Sequence, residues 1–183
     1  ADGAVTLDRS GEPAPGQEAV VAALEGFRGV IEQVPPMYSA LKQGGVPLSR
    51  LARAGKEVER PPRRVVIEAL ELELYRWPAL TLRVRCSKGT YIRTLVEDLA
   101  MALGTVAHVA ILRRLLVAPF RPTETLHTLS ELEAAFAEGG LGMLDRLLLP
   151  AARALEGWAE VRLEAPAATK LSQGQQLAAD AAW

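Results

Sequence analysis

Cys86-Ser87-Lys88-Gly89-Thr90-Tyr91-Ile92-Arg93-Thr94-Leu95 joins two different hydrophobic periods. Upstream, Leu80, Leu82, Val84 and Cys86 alternate with Thr81, Arg83 and Arg85, the pattern of a strand with one buried face. Downstream, Ile92, Leu95, Leu99 and Leu103 recur at three- and four-residue intervals, so a helix with one apolar stripe follows, and Gly104 is its stop signal. The polar segment therefore lies at a strand-to-helix junction. Backbone N–H groups at such a helix start lack intrahelical partners and attract phosphate or carboxylate. Lys88 and Arg93 add fixed positive charge there, beside the ring of Tyr91. Spacing alone also fits a capped helix carrying solvated cations, so the rest of the chain has to decide.

The bulk numbers exclude several classes. At 183 residues, 49% hydrophobic and 23% charged, the chain has the composition of a globular protein with room for one domain, or one domain and a small appendage. It has no run of 18 apolar residues that would cross a membrane, and the first residues carry no signal-peptide pattern. One cysteine leaves no internal disulfide and suits a reducing cytoplasm. With only His108 and His127, far apart, no metal site is expected. The net charge of −1 hides a segregation. Residues 42–121 hold 15 Lys/Arg against 7 Asp/Glu, and the flanks hold 6 against 15. A basic middle between acidic ends can be an electrostatic footprint for nucleic acid, or a set of solvated faces.

Along the chain, Asp8-Arg9-Ser10-Gly11 reads as a turn, and 18–27 as a short helix turning Val20, Val21, Leu24 and Phe27 inward. The stretch 33–62 is basic and poor in apolar residues, with Gly44-Gly45 and Pro47, and one short helix at 47–54 closed by Gly55. Two strands, 65–75 and 80–86, flank a Trp77-Pro78 turn, with Leu70, Leu72 and Leu74 facing opposite to Glu71 and Glu73. Residues 106–117 read as a further strand. Ser130-Glu131-Leu132-Glu133 reads as a capping box opening a helix that ends at Gly139-Gly140.

Two further segments accompany the opening stretch: Gln33-Val34-Pro35-Pro36-Met37-Tyr38-Ser39-Ala40-Leu41-Lys42 and Ala107-His108-Val109-Ala110-Ile111-Leu112-Arg113-Arg114. In order and spacing the three resemble the tRNA pseudouridine-55 synthases, the TruB/dyskerin branch of the pseudouridine synthases, across residues 6–120. The resemblance implies an α+β pseudouridine synthase fold with a mixed, largely antiparallel sheet. Residues 1–150 would be the C-terminal portion of its catalytic domain, with 33–62 as the thumb insertion that clamps RNA. Residues 151–183 would open a small PUA-like RNA-binding domain. The implied partner is the T-arm of tRNA, the implied state a cytoplasmic monomer, and the chemistry needs no cofactor and no metal. The enzymes flip the target uridine out of the folded T-arm, break its glycosidic bond and rejoin the uracil through carbon.

Carried onto this sequence, Arg93 is the arginine that orients the catalytic aspartate, a role suited to a guanidinium that stays charged and engages a carboxylate bidentately. Tyr91 would line the uracil pocket and Leu112 would pack on the flipped base. Lys42, Arg50, Arg53, Lys56, Lys88, Arg113 and Arg114 would meet RNA. Cys86 reads as strand packing, and His108 as structural or phosphate-facing.

The departures matter as much. The family's Gly-x-x-Asp-x-x-Ala-x-Gly segment, which holds the nucleophile, does not occur in the sequence, nor does the stacking tyrosine that follows it. Thr6-Leu7-Asp8-Arg9-Ser10-Gly11 matches a later Thr-x-Asp-x-x-Gly landmark, with Ala4 where threonine is usual. The expectation is a chain that begins about sixty residues into the usual domain and is inactive alone. Ser49 stands where the thumb commonly has an aromatic. Glu97 and Asp98, adjacent on one helix, should point about 100° apart and not share a substrate, and Glu97 should pair with Arg93. Two alternatives stay open: a non-catalytic tRNA-binding or RNA-folding module, and a nucleotide-binding turn at 87–90.

Overall fold

The computed structural model describes residues 5–120 and 126–177; Ala4, Arg121 and residues 178–183 lie outside the described residues. The chain forms two compact units, residues 1–112 and 113–183.

The first unit runs α1 (Gln17–Glu25), β1 (Gly29–Gln33), β2 (Lys42–Gln43), β3 (Val46–Pro47), α2 (Leu48–Arg53), β4 (Arg63–Arg76), β5 (Ala79–Cys86) and α3 (Ile92–Ala102). Its main sheet has the order β1-β4-β5, antiparallel throughout. The α+β expectation holds. The core is built where α1 and α3 cover one sheet face: Leu24, Leu95 and Leu99 meet Ile67 and Leu70, with Phe27, Ile31, Val84 and Cys86 packed around them. Val20 and Leu24 are buried on α1, but Val21 is 43% exposed, contrary to expectation. It lies about 100° around the helix from Val20, off the stripe that Val20 and Leu24 define.

β4 carries the irregularity that the alternation reading missed. Its register to β5 shifts between Ile67 and Ala69 and again between Leu72 and Leu74. The first shift moves the inward parity from Val65 and Ile67 to Leu70 and Leu72, as an extra residue in one strand must. The second turns Leu74 outward, 48% exposed, so the expected inward leucine series stops one residue short. Tyr75 turns partly inward instead, and its hydroxyl donates to the Pro15 carbonyl at 2.6 Å.

Three strands, β1, β2 and β3, lie outside the sequence expectations. β1 buries only Gln33 fully, too weak a pattern to register as a strand. β2 and β3 form a hairpin across Gly44 and Gly45, whose φ values of 56° and 80° are those a two-residue loop with both centres left-handed requires. The expected helix of the basic stretch is α2, ended at Gly55. The strand expected at 106–117 is not formed: apart from a bridge between Val117 and Phe120, this stretch is irregular. Among the described residues no strand lies alongside to complete its ladder, and an extended segment without such a partner leaves its backbone groups to water.

In the second unit, α4 (Leu129–Asp145) is followed by a 3₁₀ turn at Ala151–Leu155 and by α5 (Ala165–Ser172). The capping box is present two residues earlier than read: the Thr128 hydroxyl accepts from Glu131 N–H at 3.3 Å, and Glu131 accepts from Thr128 N–H at 2.6 Å. The helix does break at Gly139 and Gly140, then resumes to Asp145. Among the described residues no helix is long and apolar enough to cross a membrane.

Leu95→Ala, made in the fully buried seam of α3, should lower the unfolding free energy by about 3 kcal/mol in denaturant titration. Ile111→Ala, at a side chain 90% exposed, should change it by less than about 0.5 kcal/mol. The hydrogen bonds from Thr128 hold the Glu131 carboxyl below its usual range. A lowered folded value stabilises above the unfolded value and is lost as pH falls through the folded one. Helicity of the chain, followed by circular dichroism, should therefore decline below about pH 4, and Glu131→Gln should remove that component.

Candidate uridine-pocket site

The junction is built as a closed turn. Ser87 is pinned to β4 by two bonds to Val66: Ser87 N–H donates to the Val66 carbonyl at 2.8 Å, and Val66 N–H donates to the Ser87 hydroxyl at 2.9 Å. The Thr90 hydroxyl donates to the Ser87 carbonyl at 2.9 Å. Between them Gly89 sits at φ +85°, which a residue with a Cβ would adopt only with strain. Both hydroxyls are thus engaged within the protein, while the Lys88 side chain stands exposed at the tip of the turn.

Tyr91 is the N-cap of α3, in extended backbone and without a capping side chain of its own. The capping group comes from elsewhere. Gln33, the last residue of β1 and 2% exposed, accepts from Tyr91 N–H through Oε1 at 3.0 Å and donates from Nε2 to the Tyr91 carbonyl at 3.3 Å. That carbonyl also receives the first intrahelical bond, from Leu95 N–H at 3.0 Å. The N–H groups of Ile92, Arg93 and Thr94 precede that bond and have no place in the helical ladder. Arg93 follows on the first turn, where its Nη2 donates to the Tyr38 carbonyl at 2.7 Å. The first and second sequence motifs therefore do meet: Gln33 and Tyr38 hold Tyr91 and Arg93.

Gln33 opens the second motif, and the sequence assigns it no role. The available signal was a glutamine ending a strand and preceding two prolines; its partner, 58 residues away, was not visible in that spacing. The expected Arg93–Glu97 pair is not formed among the described residues, because the guanidinium reaches Tyr38 instead. Glu97 and Asp98 both line a groove of about 510 Å³ with Glu32, Pro35, Pro36 and Arg60. Burial there raises the Asp98 carboxyl above its usual range.

The other candidates distribute unevenly. Lys42 is on β2, Arg50 and Arg53 are on α2, and Lys56 follows it; all four are exposed and make no ion pair among the described residues. This arm is stitched to the motif by Leu48 N–H to the Leu41 carbonyl at 2.7 Å and Ser49 N–H to the Ser39 carbonyl at 3.2 Å. By contrast Arg83 and Arg85, on β5, are paired with Glu73 and Glu68. Leu112 is 63% exposed in the irregular segment. Arg113 and Arg114 are exposed and belong to the second unit. Cys86 is partly buried against the core, as expected, and His108 is exposed. No group of three or more His, Cys, Asp and Glu side chains is arranged to hold a metal among the described residues.

Comparison with known proteins gives this geometry a family. Residues 1–92 match the model described as TruB family pseudouridylate synthase (N terminal domain), and residues 93–156 match the tRNA pseudouridylate synthase B C-terminal domain. The chain is similar to a protein named tRNA pseudouridine synthase B from Pseudomonas fluorescens (strain Pf0-1), 49% identical over 164 residues, covering 90% of this chain and 53% of the relative. Its counterpart in Pseudomonas paraeruginosa is 48% identical over 179 residues, covering 98% and 58%. The chain thus spans about half the length of the curated relatives it matches. A solved structure described as a Cbf5-Nop10-Gar1 complex is similar at 27% identity with a TM-score of 0.62, over 79% of this chain and 40% of that one. A model match over the first half of the chain, continued to residue 156, makes the chain a member of the TruB family of pseudouridylate synthases.

Proposed function

We propose that this chain supplies the RNA-gripping arm and the supporting wall of a uridine pocket in an enzyme that isomerises the T-loop uridine of tRNA, position 55, to pseudouridine. The observation that carries the reading is Arg93 on the first turn of α3, with one guanidinium nitrogen on the Tyr38 carbonyl. Nε and Nη1 have no partner among the described residues, and so remain to receive a carboxylate. A planar guanidinium anchored at one nitrogen offers the others at a fixed angle, as orienting an aspartate requires.

The reaction is an isomerisation. The bond from the ribose C1′ to N1 breaks, a bond from C1′ to C5 forms, and the proton lost from C5 is balanced by one gained at N1. Composition is unchanged, so no co-substrate enters the balance. The aspartate that attacks is absent from this sequence, and the steps assigned to this chain are binding and orientation. Base flipping costs a few kcal/mol of stacking, offset by contacts in the pocket and by phosphate contacts of the arm. In this reading the Tyr91 ring lines the pocket and Leu112 packs on the flipped base. Lys42, Arg50, Arg53, Lys56 and Lys88 meet phosphates, joined by Arg113 and Arg114. Residues 1–150 belong to the catalytic domain and 151–183 open the small RNA-binding domain.

The complete gene product, given an unmodified tRNA transcript, should form one pseudouridine in the T-loop. Arg93→Ala should lower kcat at least roughly a hundredfold while changing the Kd for tRNA by less than about threefold. Equal losses in both would make Arg93 a phosphate contact and leave a tRNA-binding module as the better reading. Replacing Arg50, Arg53 and Lys56 together with alanine should flatten the dependence of log K on log salt by roughly one unit per lost phosphate contact. A slope unchanged by the triple substitution would take the arm out of the interface.

A further inference from the structure

We propose that Gln33 is the positioning residue of the pocket: its buried carboxamide grips the backbone of Tyr91 at both donor and acceptor and thereby sets the direction of Tyr91 and Arg93. The proposal rests on the reading of those two residues as pocket groups and adds to it the element that aims them.

A buried carboxamide has to find hydrogen-bond partners or bear the desolvation cost. Gln33 could have met this need locally, within its own strand end. Instead, both hydrogen bonds of its side chain go to a single residue, and that residue is the N-cap of α3. Tyr91 has no other fixed point at its N–H, because its position precedes the helical ladder. Apolar packing does not supply the same constraint. Leu95 and Leu99 hold α3 at a depth against Ile67 and Leu70, yet such packing is non-directional and tolerates rotation of the first turn better than hydrogen bonds do.

The segment that provides Gln33 also provides the Tyr38 carbonyl, five residues on. One short stretch therefore holds the first turn of α3 at two levels: the backbone at residue 91 and the guanidinium at residue 93. With Gln33 released, the Tyr38 bond alone leaves the turn free to pivot about Arg93. A displacement of about 1 Å at a positioned group is enough to cost roughly a hundredfold in rate. Binding of the tRNA backbone, which the arm beyond Lys42 would carry, does not pass through this contact.

Gln33→Met keeps the volume and removes both bonds, and Gln33→Glu keeps the acceptor for Tyr91 N–H while losing the donor at neutral pH. In the complete gene product, Gln33→Met should speed amide exchange at Tyr91 by roughly tenfold and leave Leu99 unchanged. Its kcat on tRNA should fall roughly tenfold to a hundredfold, with KM within about threefold of wild type. Gln33→Glu should keep the Tyr91 amide protected and fall between the two in kcat; it carries the test should the methionine variant not fold. A wild-type kcat in a variant whose Tyr91 amide exchanges faster would reduce Gln33 to a structural contact and overturn the proposal. So would kcat and KM changing in parallel with a general loss of amide protection. A wild-type gene product with no isomerase activity would instead overturn the function on which the proposal rests, an outcome distinct from either.

Discussion

The two hydrogen bonds between the Gln33 carboxamide and the Tyr91 backbone are the constraint on which the site geometry depends. Each is worth only about 1 kcal/mol net, and burying Leu95 in the α3 seam contributes about twice that. Size is not what distinguishes them. Hydrophobic contact decides that α3 lies on the sheet, and the hydrogen bonds decide how its first turn is rotated. Removing one partner would also leave buried donors and acceptors unmatched, at about 1–3 kcal/mol for each group. The contact is therefore both a fastening and a reason why the residue beneath Tyr91 has to be polar.

Charge acquires a finer meaning once the pairs are known. The basic middle of the chain suggested a nucleic-acid face, but part of that charge is spent on the sheet, where Arg83 and Arg85 meet Glu73 and Glu68. Exposed pairs of this kind add little stability, about 0–1 kcal/mol each, and they present almost no net field. Lys42, Arg50, Arg53 and Lys56 have no such partners among the described residues, and they lie on an arm tied by backbone bonds to the Tyr38–Leu41 stretch. Four of the cations without an ion pair are thus carried by the same segment that grips α3.

What could be read from sequence follows the strength of each local signal. β5 and α3 were legible because their periods are clean, and β4 was legible except where its two register shifts change parity and expose Leu74. β1 shows one fully buried residue and left no pattern to read. The run at 106–117 is apolar enough for a strand, but strand formation depends on a neighbour that no single segment encodes. At α4 two overlapping Ser/Thr-x-x-Glu patterns compete, and the structure uses Thr128 with Glu131 rather than Ser130 with Glu133. The site divides in the same way. Tyr91 and Arg93 stood out within one peptide, whereas Gln33 acts across 58 residues and becomes visible only when β1 is placed against the junction.

Amide hydrogen exchange of the full chain with and without a tRNA T-arm hairpin tests the account most directly. Bound RNA should slow exchange in residues 37–42 and 88–93, the two faces of the proposed pocket, and leave α1 unchanged. Protection that fell on α1 or on the outer face of β4 and β5, with residues 88–93 exchanging as in the free protein, would contradict the placement of the uridine at this junction.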